Sequence, residues 1–163
     1  MDVAIFIGSE SDFDIIKEAL DILKKFEVSF ALEITSAHRS PERTLKLVRS
    51  CEEEGAEVFI AVAGKAAHLA GVVASHTVRP VIGVPVDSDA LAGLDALLST
   101  VQMPKGVPVA TVALGKHGGV NAALLAVEIL GLKKPALRGK LLDHKKTMAA
   151  QVAADSEKLK KSL

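Results

Sequence analysis

Short runs of β-branched residues alternate with helix-period segments along this chain, and that alternation constrains the fold more than any other feature. It is typical of a parallel sheet that is covered by helices on both faces. Five runs rich in Val, Ile, Phe and Ala read as buried strands: 3–7, 28–35, 58–63, 81–84 and 107–112. Because parallel crossovers are right-handed, the simplest prediction is a three-layer αβα sandwich, flavodoxin-like, with strand order 2-1-3-4-5.

The segments between these strands carry helical periodicity. Apolar residues recur every three or four positions from Ile16 to Phe26, and Ser40-Pro41 supplies an N-cap and a first-turn proline for a helix that ends at Gly55. Further helices are predicted over 66–75, 90–99, 121–130 and 136–163. The apolar segment 121–130 is expected to be deeply packed or shared with a partner subunit, and the charged segment 136–163 to lie on the surface or reach a neighbouring chain.

Length and composition limit the classes of protein. The 163 residues fit a single domain, 1–163, and no internal repeat or long linker divides it. The 20 basic side chains cancel the 20 acidic ones, and five Phe are the only Phe, Tyr or Trp residues, so nucleic acid is not an expected partner. Charged residues and histidines interrupt the apolar region 58–86, so no membrane span is predicted. The single cysteine, Cys51, and the absence of a signal-like beginning favour the cytoplasm.

The first strand ends in a sequence that suits an anion or a sugar. Gly8, Ser9, Ser11 and Asp12 place a glycine, two hydroxyls and free backbone N–H groups where a helix begins. Asp12 would repel phosphate and suits sugar hydroxyls better. The alternative, that Ser11 or Asp12 only caps the helix, is equally compatible with the spacing.

The second strand ends in Ser36-Ala37-His38-Arg39-Ser40-Pro41, which places an imidazole beside a guanidinium at the same edge of the sheet. An imidazole can give and take a proton near neutral pH, and an arginine can bind phosphate with two parallel hydrogen bonds. The alternative is a surface histidine in a turn before a capped helix.

The third strand runs into a loop of small residues, Gly64-Lys65-Ala66-Ala67-His68-Leu69, which would let backbone approach a ligand closely and presents a second histidine. A core histidine satisfied by one hydrogen bond is the alternative for His68. Lys65 could bind a carboxylate or be solvated.

Other chemistries find less support. His76, His117 and His144 have no companions at metal-ligand spacing, so no metal site is predicted. The segment 115–119 resembles a flexible phosphate loop, but it lacks the GxxxxGK[ST] pattern of nucleoside triphosphatases. No GxSxG nucleophile elbow and no plausible catalytic cysteine is present.

Taken together, several motifs make the chain resemble the N5-carboxyaminoimidazole ribonucleotide mutase family over about residues 3 to 131. The motifs are GSESD, SAHRSP, AGKAAHLAGVVASHTVRPVIGVPV and LDALLSTVQMPKGVPVATVAL followed by NAALLAVEIL. SAHR and LLSTVQMPKGVPVAT in this order are specific, whereas GSESD alone is not. The resemblance implies a step of de novo purine synthesis, in which the carbamate carboxyl of a ribonucleotide moves from the exocyclic nitrogen to C4 of the imidazole. It implies no metal, nucleotide or organic cofactor.

The resemblance also assigns roles to individual positions. His38 matches the general acid and base of the family. Ser9, Asp12 and Arg39 would bind the ribose phosphate region, with Ser11 and Ser36 in support. The loop that contains Gly64, Lys65, Ala66, His68 and Leu69 would enclose the imidazole and the carboxylate in a water-poor pocket. The resemblance also implies a homo-octamer whose active sites draw on adjacent subunits.

Lys65 is the main departure from the mutase pattern, in which a second glycine usually stands at this position. A basic residue there is similar to the related aminoimidazole ribonucleotide carboxylases, which fix free carbon dioxide, but those tend to carry SAHK and a serine-asparagine pair where this chain has SAHR and Ala67-His68. The balance favours the mutase over the carboxylase. A non-enzymatic flavodoxin-like module for phosphate or flavin is the third alternative, and the scarcity of aromatic side chains disfavours it.

Overall fold

The structure is a computed structural model that describes residues 1–87 and 91–163. Its centre is a five-stranded, all-parallel sheet with the predicted order β2-β1-β3-β4-β5. The strands are β1 (Val3–Ile7), β2 (Phe30–Ile34), β3 (Val58–Ala63), β4 (Val81–Pro85) and β5 (Ala110–Thr111). The described helices are α1 (Phe13–Lys25), α2 (Pro41–Glu53), α3 (Leu69–Ala74), α4 (Leu94–Val101), α5 (Gly115–Gly131) and α6 (Pro135–Lys160).

The core lies in two layers, one on each face of the sheet. Side chains alternate along β1, so Val3 and Ile5 pack with α1 and α5, whereas Ala4 and Phe6 pack with α2 and α3. This arrangement confirms the predicted three-layer αβα sandwich. Cys51 is buried in the second layer, where burial raises the pKa of its thiol and the charges of Glu54 and Glu33 raise it further. Cys51 is therefore a buried core residue that lies away from the carboxyl edge of the sheet.

Both edge strands are shorter than predicted. The sequence predicts β2 over 28–35, whereas the strand spans Phe30–Ile34. Thr35 turns inwards, and its hydroxyl hydrogen bonds to the Thr44 hydroxyl at 2.8 Å. The sequence predicts β5 over 107–112, whereas the strand is only Ala110–Thr111. Pro108 shortens it, because proline has no N–H to donate to the hydrogen bonds between strands. Val112 still donates a hydrogen bond to the Gly83 carbonyl at 3.1 Å.

Two short helices begin later than predicted. Helix α3, expected over 66–75, begins at Leu69 because the preceding turn contains Lys65 at φ 57° and closes with a hydrogen bond from the His68 N–H to the Ala66 carbonyl. Helix α4, expected over 90–99, begins at Leu94 because Gly93 adopts a left-handed φ of 82°. The predicted start at Ala90 lies outside the described residues.

The segment 115–119, which resembles a flexible phosphate loop in sequence but lacks the pattern of one, forms the first turns of α5. Its glycines serve close packing. A Cβ on Gly119 would lie 2.2 Å from the carbonyl oxygen of Ile15 in α1, so only glycine lets the two helices approach this closely. The rest of α5 buries Ala123, Ala126 and Val127, which confirms the deeply packed alternative for 121–130.

Helix α6 matches the predicted terminal helix and has two unlike parts. Leu137 and Leu141 pack against the core, and Lys140 pairs with Glu27 at 2.5 Å. Beyond Leu141 the helix is almost entirely exposed, including the apolar side chains of Met148 and Val152. Within the described ranges, no helix combines the length and the apolar composition that crossing a bilayer requires.

Candidate active site

The loops that follow β1 to β4 surround one cavity of about 680 Å³ at the carboxyl edge of the sheet. Every residue proposed from the sequence as a site residue lines it: Ser9, Ser11, Asp12, Ser36, His38, Arg39, Gly64, Lys65, Ala66, His68 and Leu69. They converge because the carboxyl ends of parallel strands share one edge, which is where ligands bind in open α/β sheets.

The loop after β1 forms a single 3-10 turn, Glu10–Asp12, before α1 begins. The Asp12 carboxylate accepts a hydrogen bond from the backbone N–H of Ser9 at 3.0 Å, and the hydroxyls of Ser9 and Ser11 hydrogen bond to each other at 2.6 Å. Asp12 occupies the N-cap position of α1, but its side chain makes no capping hydrogen bond to that helix and instead completes a capping box with Ser9 in the 3-10 turn. Asp12 is only 8% exposed, and this burial raises its pKa although hydrogen bonds from Ser9 and Ser11 and the charge of Arg39 act in the opposite direction.

The loop after β2 is braced by serine side chains. The Ser40 hydroxyl accepts a hydrogen bond from the Ser36 N–H at 3.0 Å, and the Ser36 hydroxyl accepts one from the Arg39 N–H at 3.1 Å. The Arg39 guanidinium donates to the Gly8 carbonyl at 2.9 Å, which joins this loop to the first one. One guanidinium has five N–H donors, so most of them remain available for an anionic ligand.

The loop after β3 brings a second imidazole to the first. Nε2 of His38 lies 2.8 Å from Nδ1 of His68, and the two rings are 4.9 Å apart and nearly perpendicular, at 77°. The core alternative for His68 is wrong, because both rings are exposed at the wall of the cavity. The expected water-poor pocket is not formed by one chain alone, since Arg39, Lys65 and Ala66 are exposed as well.

Further residues that the sequence analysis did not select as site residues line the same cavity: Ile15, Ala37, Ala63, Val86 and Asp87. Gly8 of the first loop lines it as well. Asp87 is the second acidic residue of this lining, and its carboxylate lies close to Gly115 at the beginning of α5. A signal for it was present, since Asp87 comes just after β4 and thus at the same edge of the sheet as the three loops already described. Among residues 1–87 and 91–163, no cluster of three His, Cys, Asp or Glu side chains has the geometry of a metal site.

Comparison with known proteins decides the family. A model of the AIR carboxylase family matches residues 2–151. The chain belongs to this family. Proteins named N5-carboxyaminoimidazole ribonucleotide mutase are 52% identical in Pyrococcus horikoshii, over 96% of this chain and 88% of that protein, and 52% identical in Methanocaldococcus jannaschii, over 97% of each. The Escherichia coli K12 protein of the same name is 47% identical over 92% of this chain and 89% of its own length.

Solved structures agree with this assignment. The crystal structure of Treponema denticola PurE superposes with a TM-score of 0.87 at 30% identity and covers 96% of this chain and 97% of that one. A second crystal structure, of a substituted form of Treponema denticola PurE2, gives a TM-score of 0.88 at 29% identity over 98% of this chain and 99% of that one. The flavodoxin-like order of the sheet is thus shared with members of known structure.

Proposed function

We propose that this AIR carboxylase family member is an isomerase of de novo purine biosynthesis that converts N5-carboxyaminoimidazole ribonucleotide to 4-carboxy-5-aminoimidazole ribonucleotide, with His38 as its general acid and base. The relatives that carry the mutase name, at about half identity over nearly the whole chain, support the activity. The observation that carries the assignment of residues is the cavity itself, in which a proton-transfer group, an arginine and a sugar-compatible carboxylate converge.

Substrate binding is assigned to the loops after β1 and β2. Arg39 would pair with the phosphate, since its guanidinium combines full charge with several donors. The buried carboxylate of Asp12 would accept hydrogen bonds from ribose hydroxyls, and the hydroxyls of Ser9 and Ser11 would add donors beside it. Ser36 would act in support by holding the backbone of Arg39 through the hydrogen bond at 3.1 Å.

The reaction requires two proton transfers and no net change of protonation. In the first step, protonated His38 delivers a proton to the exocyclic nitrogen as its bond to the carboxyl carbon breaks, which releases carbon dioxide and leaves the amine. In the second step, C4 of the ring attacks the carbon dioxide, and the proton lost from C4 returns to His38. One imidazole can perform both transfers, because the same ring nitrogen that gives up the first proton can accept the second.

Carbon dioxide must stay in the cavity between these steps. The loop with Gly64, Lys65, Ala66, His68 and Leu69 would enclose it, because small side chains leave room for close backbone contact. On a single chain the cavity is open, so closure requires either a bound substrate or a neighbouring subunit. We propose a homo-octamer in which exposed α6 packs on an adjacent subunit, and analytical ultracentrifugation of the purified protein tests it.

Two substrates test the activity directly. We expect product to form rapidly from the carbamate ribonucleotide and slowly from aminoimidazole ribonucleotide plus bicarbonate. The opposite preference would identify a carboxylase that uses free carbon dioxide, and a bound flavin chromophore with no turnover would identify a binding module. A cytoplasmic location, which fits this pathway, remains a prediction, as does the assignment of 1–163 to one domain.

The role of His38 is tested by His38→Asn. We expect this variant to keep substrate binding and to lose a factor of ~10² to 10⁴ in kcat, because the amide can neither give nor take the proton. His76→Asn is the matched control, since His76 is exposed and lies outside the cavity. Near wild-type kcat in His38→Asn would remove His38 from the mechanism and leave the substrate preference as a separate result.

A further inference from the structure

The contact between His38 and His68 constrains where protons can lie in the site. A hydrogen bond at 2.8 Å between two ring nitrogens needs one donor and one acceptor, so a single proton lies between Nε2 of His38 and Nδ1 of His68. The tautomer of each ring therefore depends on the other. If Nε2 of His38 carries the shared proton, Nδ1 of the same ring is the atom that can take and give the reactive proton.

Two of the charged groups that line the cavity with this pair have other hydrogen-bond partners. Asp12, Arg39, Lys65 and Asp87 line the same cavity. Asp12 accepts from the Ser9 N–H, and Arg39 donates to the Gly8 carbonyl. Within the described part of the chain, no carboxylate accepts a hydrogen bond from either ring. The partner of His38 is thus another imidazole, where many enzymes place a carboxylate beside a catalytic histidine.

We propose that His68 is a positioning residue that accepts a hydrogen bond from Nε2–H of His38 throughout the reaction, so that His38 presents Nδ1 to the substrate. This inference rests on the proposed function and adds the reacting atom to it. Protonated His38 gives the Nδ1 proton to the exocyclic nitrogen and later receives the C4 proton at the same Nδ1. The Nε2 proton stays between the two rings, and His68 remains neutral with its own proton on Nε2.

A neutral hydrogen-bond acceptor suits His38, which must donate a proton in one step and accept a proton in the next. The hydrogen bond becomes charge-assisted when His38 is protonated, which stabilises the acid form. A carboxylate in the same place would stabilise the imidazolium more strongly and would make it a poorer proton donor. His68 therefore fixes the orientation and the tautomer of His38 without holding the reactive proton too tightly.

The test uses substitutions that keep or remove the acceptor. In His68→Asn, the amide oxygen can occupy nearly the position of Nδ1 and still accept from His38. In His68→Leu, a side chain of similar size has no acceptor. In His68→Asp, the acceptor is charged. His76→Asn again serves as the control outside the cavity.

The first measurement is ¹⁵N NMR of the histidine rings in the substrate-free protein, which does not depend on turnover. We expect Nε2 of His38 to carry the proton in the wild type and in His68→Asn, with a downfield hydrogen-bonded proton signal that His68→Leu loses. A proton on Nδ1 of His38 at neutral pH in the wild type would overturn the inference, and the proposed isomerase activity would be unaffected.

The second measurement is the pH profile of kcat, which a purely steric role would not move. The alkaline limb reports loss of the acid form of His38, so it should move to lower pH in His68→Leu, by about half to one pH unit, and to higher pH in His68→Asp. His68→Asn should keep kcat within a few fold, whereas His68→Leu should lower it ~10- to 100-fold. If His68→Leu only raises KM and leaves both kcat and its profile unchanged, His68 binds substrate without positioning His38, and the inference is wrong.

Discussion

Replacing Gly119 with alanine should force apart the two helices that cover one face of the sheet. The new Cβ would lie 2.2 Å from the carbonyl oxygen of Ile15, whereas real Cβ atoms essentially never approach closer than 3.0 Å. That oxygen belongs to the backbone of α1, so no side-chain rotation relieves the clash, and α1 and α5 must separate by about 1 Å.

Both stability and activity should respond to that displacement. Overpacking of a core typically costs ~1 to 3 kcal/mol, and a clash with backbone belongs at the upper end, so we expect a loss of about 3 kcal/mol in the free energy of unfolding. Ile15 also lines the cavity, and Asp12 stands immediately before α1. A shift of about 1 Å there should lower kcat/KM ~10- to 100-fold.

Urea denaturation at fixed protein concentration, together with kcat/KM, measures both effects. Gly139→Ala is the matched control, because Gly139 is also helical but has no atom within 4 Å of the position of a new Cβ. That control should be neutral or should gain ~0.5 to 1 kcal/mol from helix propensity. A Gly119→Ala protein that unfolds within ~0.5 kcal/mol of the wild type would refute the steric reasoning.

Three further changes have defined outcomes. Arg39→Ala should raise KM ~10- to 150-fold with a smaller change in kcat, because it removes a charge-assisted contact to phosphate; an unchanged KM would contradict that assignment. Lys65→Gly should leave the preference for the carbamate intact in paired assays with bicarbonate, and the positive φ of 57° suits glycine, so misfolding would not explain a loss. Asp2 is subject to burial, which raises its pKa, but hydrogen bonds from Lys134 and Ser29 lower the pKa on balance. Stability from Asp2 is therefore present above about pH 4 and lost below it, and Asp2→Asn should flatten Tm against pH in that range.

Much of the fold follows from local sequence. Runs of Val, Ile and Phe locate the central strands β1 and β3 to the residue, because strands buried on both faces need continuous apolar sequence. The edge strand β5 is overestimated because its pattern is equally apolar but Pro108 and its edge position limit pairing. The glycine at 119 suggests a loop for a different reason, since the close approach of α1 that requires it is a tertiary contact that no local rule contains.

The site is predictable to the extent that it depends on topology. Residues that follow parallel strands must meet at one edge, which is why the loops ending β1, β2 and β3 could be combined before any distance was known. The same rule applies to Asp87 after β4, although no recognised motif marks it. The distance of 2.8 Å between His38 and His68 could not be predicted, because it depends on the turn at Lys65 and on the brace between Ser36 and Ser40.

The position of β1 has a consequence for how the protein acquires activity during folding. His38 follows β2 and His68 follows β3, and β1 lies hydrogen-bonded between those two strands. The two rings can meet only after three segments that are distant in sequence have paired in register, which is a slow, non-local event. The helical circular dichroism signal should therefore recover early in refolding, and catalytic turnover should return in a later phase. Recovery of enzyme activity thus shows when β2, β1 and β3 have paired in their native order.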